Sequence, residues 1–88
     1  MHEMSLISNL LNKIETIAQE QQAPRVSRAT VRLGALSHIS ADHFREHFVE
    51  GTKGTIAEGA QLDIEVSDDI NDPNAQDILL LSVDVEQT

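Results

Sequence analysis

The spacing of apolar residues changes at Pro24, and that change limits the folds open to the chain. Before it, Ile7, Leu10, Leu11, Ile14, Ile17 and Ala18 recur at steps of three and four. Such steps place them on one stripe of a helix, over roughly residues 4–22. Asn9, Lys13, Glu15, Gln19 and Glu20 fall off the stripe. Pro24 stops the helix and pushes Ala23 towards extended backbone. After it the period is two: Ala29, Val31 and Leu33 alternate with Arg28, Thr30 and Arg32. This predicts a strand from about Arg25 to Leu33, with one apolar face.

Gly34 breaks the strand, and Ser37 to Ser40 form a loop. Ser40 is a good cap for a second helix from about Ala41 to Gly51, with Ala41, Phe44 and Phe48 on one face. The glycine-bearing segment from Gly51 to Gly59 reads as turns. Leu62, Ile64 and Val66 alternate with Asp63 and Glu65 as a second, half-buried strand. Residues 67–77 are a polar loop. A third strand runs from Ile78 to Glu86, with Leu81, Val83 and Val85 set against Ser82 and Asp84. At 88 residues the chain has room for one domain. The order helix, strand, helix, strand, strand predicts an α+β fold, a two-layer domain with two helices on one face of a three-stranded mixed sheet. The last two strands are expected to pair as an antiparallel hairpin. The second helix becomes a right-handed crossover if the first two strands run parallel.

Charge narrows the partners. Fifteen Asp and Glu face six Lys and Arg, a formal net charge of -9. Phosphate binding needs a basic face, so nucleic acid and anionic membrane surfaces are not expected as partners. Cations and partners with a basic patch are favoured. The chain has no cysteine, so it offers no disulfide, thiolate nucleophile, iron–sulfur ligand or zinc finger. The start lacks the basic and apolar regions of a signal peptide, and no apolar run reaches the roughly 20 residues that span a bilayer. The expected location is the cytoplasm.

The first residues carry the most distinctive chemistry. A free amine at Met1, the backbone nitrogen of His2 and the His2 Nδ1 can bind one metal through a five-membered and a six-membered chelate ring. Nitrogen donors in a plane suit Ni(II) or Cu(II). Glu3 can add its amide nitrogen or carboxylate as a fourth donor, or water can. The plain alternative is that His2 is an ordinary second residue. His38, in the loop before the second helix, either approaches a metal held at the N-terminus or is an ordinary loop residue.

His43, Glu46 and His47 spell His-x-x-Glu-His, a metalloprotease pattern. That reading fails because no third ligand is evident and the chain is too small for a substrate cleft. The two histidines lie on adjacent turns of one side, flanking the Phe44 and Phe48 face. A boundary position beside the core accounts for them, and a weak metal site is the competing account. Gly51, Gly54 and Gly59 do not form a phosphate loop, and Asp68, Asp69, Asp72 and Asp77 lack the EF-hand offsets. No nucleophile elbow is present, so no enzyme is expected.

Four stretches together resemble one family. They are Met1-His2-Glu3-Met4-Ser5, Val31-Arg32-Leu33-Gly34-Ala35-Leu36-Ser37, the run from Lys53 to Glu65, and Ser82-Val83-Asp84-Val85-Glu86. In this order they resemble the hydrogenase maturation nickel metallochaperones of the HypA/HybF type. The resemblance implies a domain of two helices and a three-stranded sheet. It implies nickel held by the N-terminal amine, His2 and nearby backbone nitrogens, with Glu3 adjoining. It also implies delivery to the large subunit of nickel–iron hydrogenase with a maturation GTPase, some members serving urease too.

One departure is large. The family carries a zinc ribbon with two Cys-x-x-Cys pairs between the second and third strands. Here the loop of residues 67–77 occupies that place, so residues 1–88 are expected to form a single nickel-binding-type domain without structural zinc. The sheet is expected to survive, because a short turn can replace an insertion between strands. Two functions follow for test. One is a minimal nickel carrier. The other is a metal-free assembly module that docks a hydrogenase subunit or the GTPase. Exposed strand edges also allow pairing with a second copy as a homo-oligomer.

Overall fold

The computed structural model describes residues 3–86. The chain runs α1 (Glu3–Glu20), β1 (Arg25–Leu33), α2 (Ala41–Thr52), β2 (Gln61–Val66) and β3 (Ile78–Glu86). The sheet has the order β2-β1-β3, with β1 parallel to β2 and antiparallel to β3. This is the two-layer α+β domain with a mixed sheet expected from the apolar periods. The expected hairpin between the last two strands is not formed, because β1 lies between them.

Both helices turn their stripes onto one face of the sheet. Ile7, Leu10, Ile14 and Ala18 of α1 are buried with Phe44 and Phe48 of α2 and with Val26, Ala29, Val31, Leu33 and Leu62 of the strands. Gly51 allows close approach of the helices: a Cβ there would lie 2.7 Å from Leu11 Cδ1. The outer face is polar. Arg28 pairs with Asp63 at 3.2 Å and Arg32 with Glu65 at 3.1 Å. These pairs are exposed to water, so each contributes only about 0–1 kcal/mol.

Helix α1 ends two residues short of the expected limit. Gln22 takes a left-handed φ of 55°. Its amide bonds to the Gln19 carbonyl, and the Ala23 amide bonds to the Ala18 carbonyl, each at 2.9 Å. This six-to-one and five-to-two pair satisfies carbonyls that the helix end leaves open. Helix α2 is capped as expected: the Ser40 hydroxyl accepts from the His43 amide at 3.1 Å. It runs to Thr52, whose buried hydroxyl donates to the Phe48 carbonyl at 2.8 Å.

Two bulges shift the phase of the sheet. Ser27 is the extra residue between the pairs Val26–Val85 and Arg28–Asp84, and Leu81 is the extra residue between Thr30–Ser82 and Val31–Leu80. Hence Ile78, Leu80, Val83 and Val85 pack on the core, while Leu81, expected inward, is exposed.

Because β2 and β3 lie on opposite edges, segment 67–77 crosses the end of β1. The Ser67 amide bonds to the Leu33 carbonyl, the Gly34 amide to the Asp77 carbonyl and the Leu36 amide to the Ala75 carbonyl. A Cβ at Gly34 would fall within the Ala75 carbonyl and 2.7 Å from the Asn74 carbonyl oxygen. Gly34→Ala is therefore expected to cost about 1–3 kcal/mol, an overpacking penalty. It should also speed hydrogen exchange at the Leu36 amide, read by NMR. Unchanged exchange there would contradict the crossing contact.

Candidate metal centre

The crossing of segment 67–77 over β1 builds a hollow at the N-terminal end of α1. Leu6, from the first turns of that helix, lines it with Leu36, Ser37 and His38 from the β1–α2 connection and with Gln76 and Asp77. Its volume is about 440 Å³. His38 is exposed and holds a φ of 63°. The left-handed region is uncommon for a residue other than glycine. A Ser37 amide bond to the Gly34 carbonyl at 3.0 Å closes the turn just before it. His38 and the first turns of α1 thus border one space, although His38 has no sequence signal tying it to Leu6.

Met1 and His2, the residues expected to hold nickel, lie outside the described residues, as does the side chain of Glu3. Glu3 opens α1, so in sequence Met1 and His2 directly precede the helix whose first turns line the hollow. Leu6, Gln76 and Asp77 were not foreseen as neighbours of His38. They come from segments far apart in the chain, and only the crossing over Gly34 brings them together.

His43 and His47 converge on one side of α2. Their Nε2 atoms are 2.8 Å apart and their ring centroids 4.5 Å apart. His43 is exposed and His47 half-buried, so only His47 fits the expected boundary position. Among the described residues no group of three or more His, Asp or Glu residues could hold a metal ion.

The acidic loop is occupied by its own turns. Asp69 Oδ1 accepts from the Asn71 amide at 2.9 Å, and Asp72 Oδ1 from the Asn74 amide at 2.8 Å. Such side-chain acceptors stabilise turns. Gly54 and Gly59, with φ of 78° and 80°, serve turns as expected. Among the described residues no helix is long and apolar enough to cross a membrane.

Comparison with known proteins gives a consistent result. The sequence model of the family described as "Hydrogenase/urease nickel incorporation, metallochaperone, hypA" matches residues 1–70. The hydrogenase maturation factor HypA of Methylocella silvestris is 44% identical over 66 residues, which are 75% of this chain and 58% of that protein. HypA of Archaeoglobus fulgidus is 41% identical over 66 residues, 75% of this chain and 60% of that protein. The chain thus spans less than two thirds of the length of these curated relatives. The solution structure of the Ni metallochaperone HypA from Helicobacter pylori superposes with a TM-score of 0.77, covering 97% of each chain at 21% identity. That likeness supports the fold: two helices on a three-stranded mixed sheet. The family is one of metallochaperones, in keeping with the absence of an enzyme signature in the sequence. From the match over residues 1–70, the chain belongs to the HypA family of hydrogenase and urease nickel metallochaperones.

Proposed function

We propose that this chain carries Ni(II) as cargo for the maturation of nickel–iron hydrogenase, holding it at a free N-terminus. The observation that carries the reading is the family match, which begins at Met1 and takes in His2 and Glu3. The Met1 amine, the His2 amide nitrogen and His2 Nδ1 are the donors, with Glu3 adjoining as the fourth. Such a set suits a tetragonal ion. The hollow beside the first turns of α1 supports the reading, because it puts His38 on the side of the fold from which the chain enters that helix. His38 then serves as an additional donor. The net charge of -9 favours any cation over the free chain.

Release proceeds by ligand exchange. A terminus ahead of the first helix leaves the ion open to incoming donors from an acceptor. The donors must lose protons to bind, so affinity falls as pH drops below neutral. The acceptor is the hydrogenase large subunit, assisted by the maturation GTPase in the cytoplasm. Segment 67–77 stands where the family has its zinc ribbon, and residues 1–88 act as one nickel-binding-type domain without structural zinc. The family match ends at residue 70, inside this segment, which agrees with such a replacement.

The test is maturation in cells that depend on this chain. His2→Ala is expected to abolish nickel-dependent hydrogenase activity while the protein still accumulates. Full activity in that variant, with partner binding unchanged, would contradict nickel carriage and favour a metal-free docking module.

A further inference from the structure

We propose that His43 and His47, one turn apart on α2, form a second divalent-metal site. Two imidazoles at positions i and i+4 share one side of a helix. Here they do more than share a side. The ring centroids are 4.5 Å apart and the Nε2 atoms only 2.8 Å apart, so the two Nε2 atoms face each other. Without metal, one Nε2–H donates to the other ring. A metal replaces that hydrogen bond once the donating ring carries its proton on Nδ1 instead, leaving both Nε2 atoms as ligands.

The separation selects a geometry. Metal–imidazole bonds are about 2.0–2.1 Å. Two such bonds at a right angle put the nitrogens about 2.9 Å apart, whereas tetrahedral bonds put them about 3.4 Å apart. The 2.8 Å spacing is therefore close to that of neighbouring corners of a square-planar or tetragonal ion, such as Cu(II) or Ni(II).

The surroundings favour a cation. His47 lines a hollow of about 310 Å³ between α1 and α2 that Glu15 and Glu50 also line. These carboxylates supply negative charge beside a ligand that is itself half-buried and so held in place. No third His, Asp or Glu joins the pair among the described residues. Water or an incoming donor can take positions that the two imidazoles leave. Exposure of His43 opens it to solvent.

The proposal does not depend on the N-terminal chelate, and the experiment keeps the two apart. Cu(II) is added in substoichiometric amount to the His2→Ala chain, and paramagnetic broadening is followed by NMR. Broadening centred on the rings of His43 and His47 is expected, with Cu(II) affinity at least about tenfold lower in His43→Gln or His47→Gln. The exposed His43 is the cleaner variant, and an unchanged circular dichroism spectrum confirms its fold. Broadening elsewhere, or equal affinity in His43→Gln, would overturn the site. Loss of all Cu(II) binding in His2→Ala alone would also overturn it, while leaving the N-terminal reading intact.

Discussion

Phe44→Ala is expected to lower stability by about 3–5 kcal/mol, the usual cost of deleting a buried phenyl ring. Phe44 is fully buried and stacks on Phe48 with centroids 6.4 Å apart. These two rings are the only aromatics of the Phe, Tyr and Trp class in the chain, so no neighbouring large ring can fill the space. Whole domains are stable by only about 5–15 kcal/mol, and small ones lie near the lower end. The variant should therefore melt at least about 12 °C lower, since each kcal/mol moves a domain of this size by roughly 4–8 °C. Thermal unfolding followed by circular dichroism measures this. Val49→Ala, on the same helix but 55% exposed, should stay within about 0.5 kcal/mol of the parent. A Phe44→Ala melting point within a few degrees of the parent would mean that α2 does not anchor the core.

Extending the chain ahead of Met1 is expected to weaken nickel binding by about 100-fold, roughly 2.8 kcal/mol at 1.4 kcal/mol per decade. An extension converts the Met1 amine into an amide. The proposed five-membered chelate ring between that amine and the His2 nitrogen would then lose its strong donor. Acetylation is the smallest such change, because it blocks the amine and adds only two carbons. The buried core among the described residues starts at Ile7, and the melting point of the metal-free protein is expected not to move. Competition against a coloured chelator reads the affinity. Equal nickel affinity in blocked and unblocked chains would remove the amine from the ligand set.

Element identities were legible because each rests on a local period. The stripe from Ile7 to Ala18, the alternation from Ala29 to Leu33 and the cap at Ser40 need no distant partner, and the structure reproduces them. Strand order was not legible. The hairpin expectation assumed that consecutive strands pair, which holds only about two thirds of the time. Here β1 takes the centre, and the burial of Ala29, Val31 and Leu33 agrees with a strand flanked on both sides. The phase of β3 was misread at Leu81 because a bulge inserts one residue, and no residue type in that stretch announces it.

The sites divide in the same way. The His43 and His47 pair is visible in sequence, because four residues make one helical turn. The hollow at His38 is not. It exists because the Gly34 backbone leaves room for Ala75, a contact between residues about forty positions apart in the chain. The proposed ligands Met1, His2 and Glu3 come from the residue pattern and the family resemblance, and nickel binding by them is the central claim to be measured.

Isothermal titration of Ni(II) at neutral pH, into the chain with its native N-terminus and into His2→Ala side by side, addresses that claim directly. The account predicts a tight site of one-to-one stoichiometry in the native chain that disappears in His2→Ala, leaving only weaker binding. A tight site of unchanged affinity in His2→Ala, or no tight site in either chain, would contradict nickel carriage at the N-terminus.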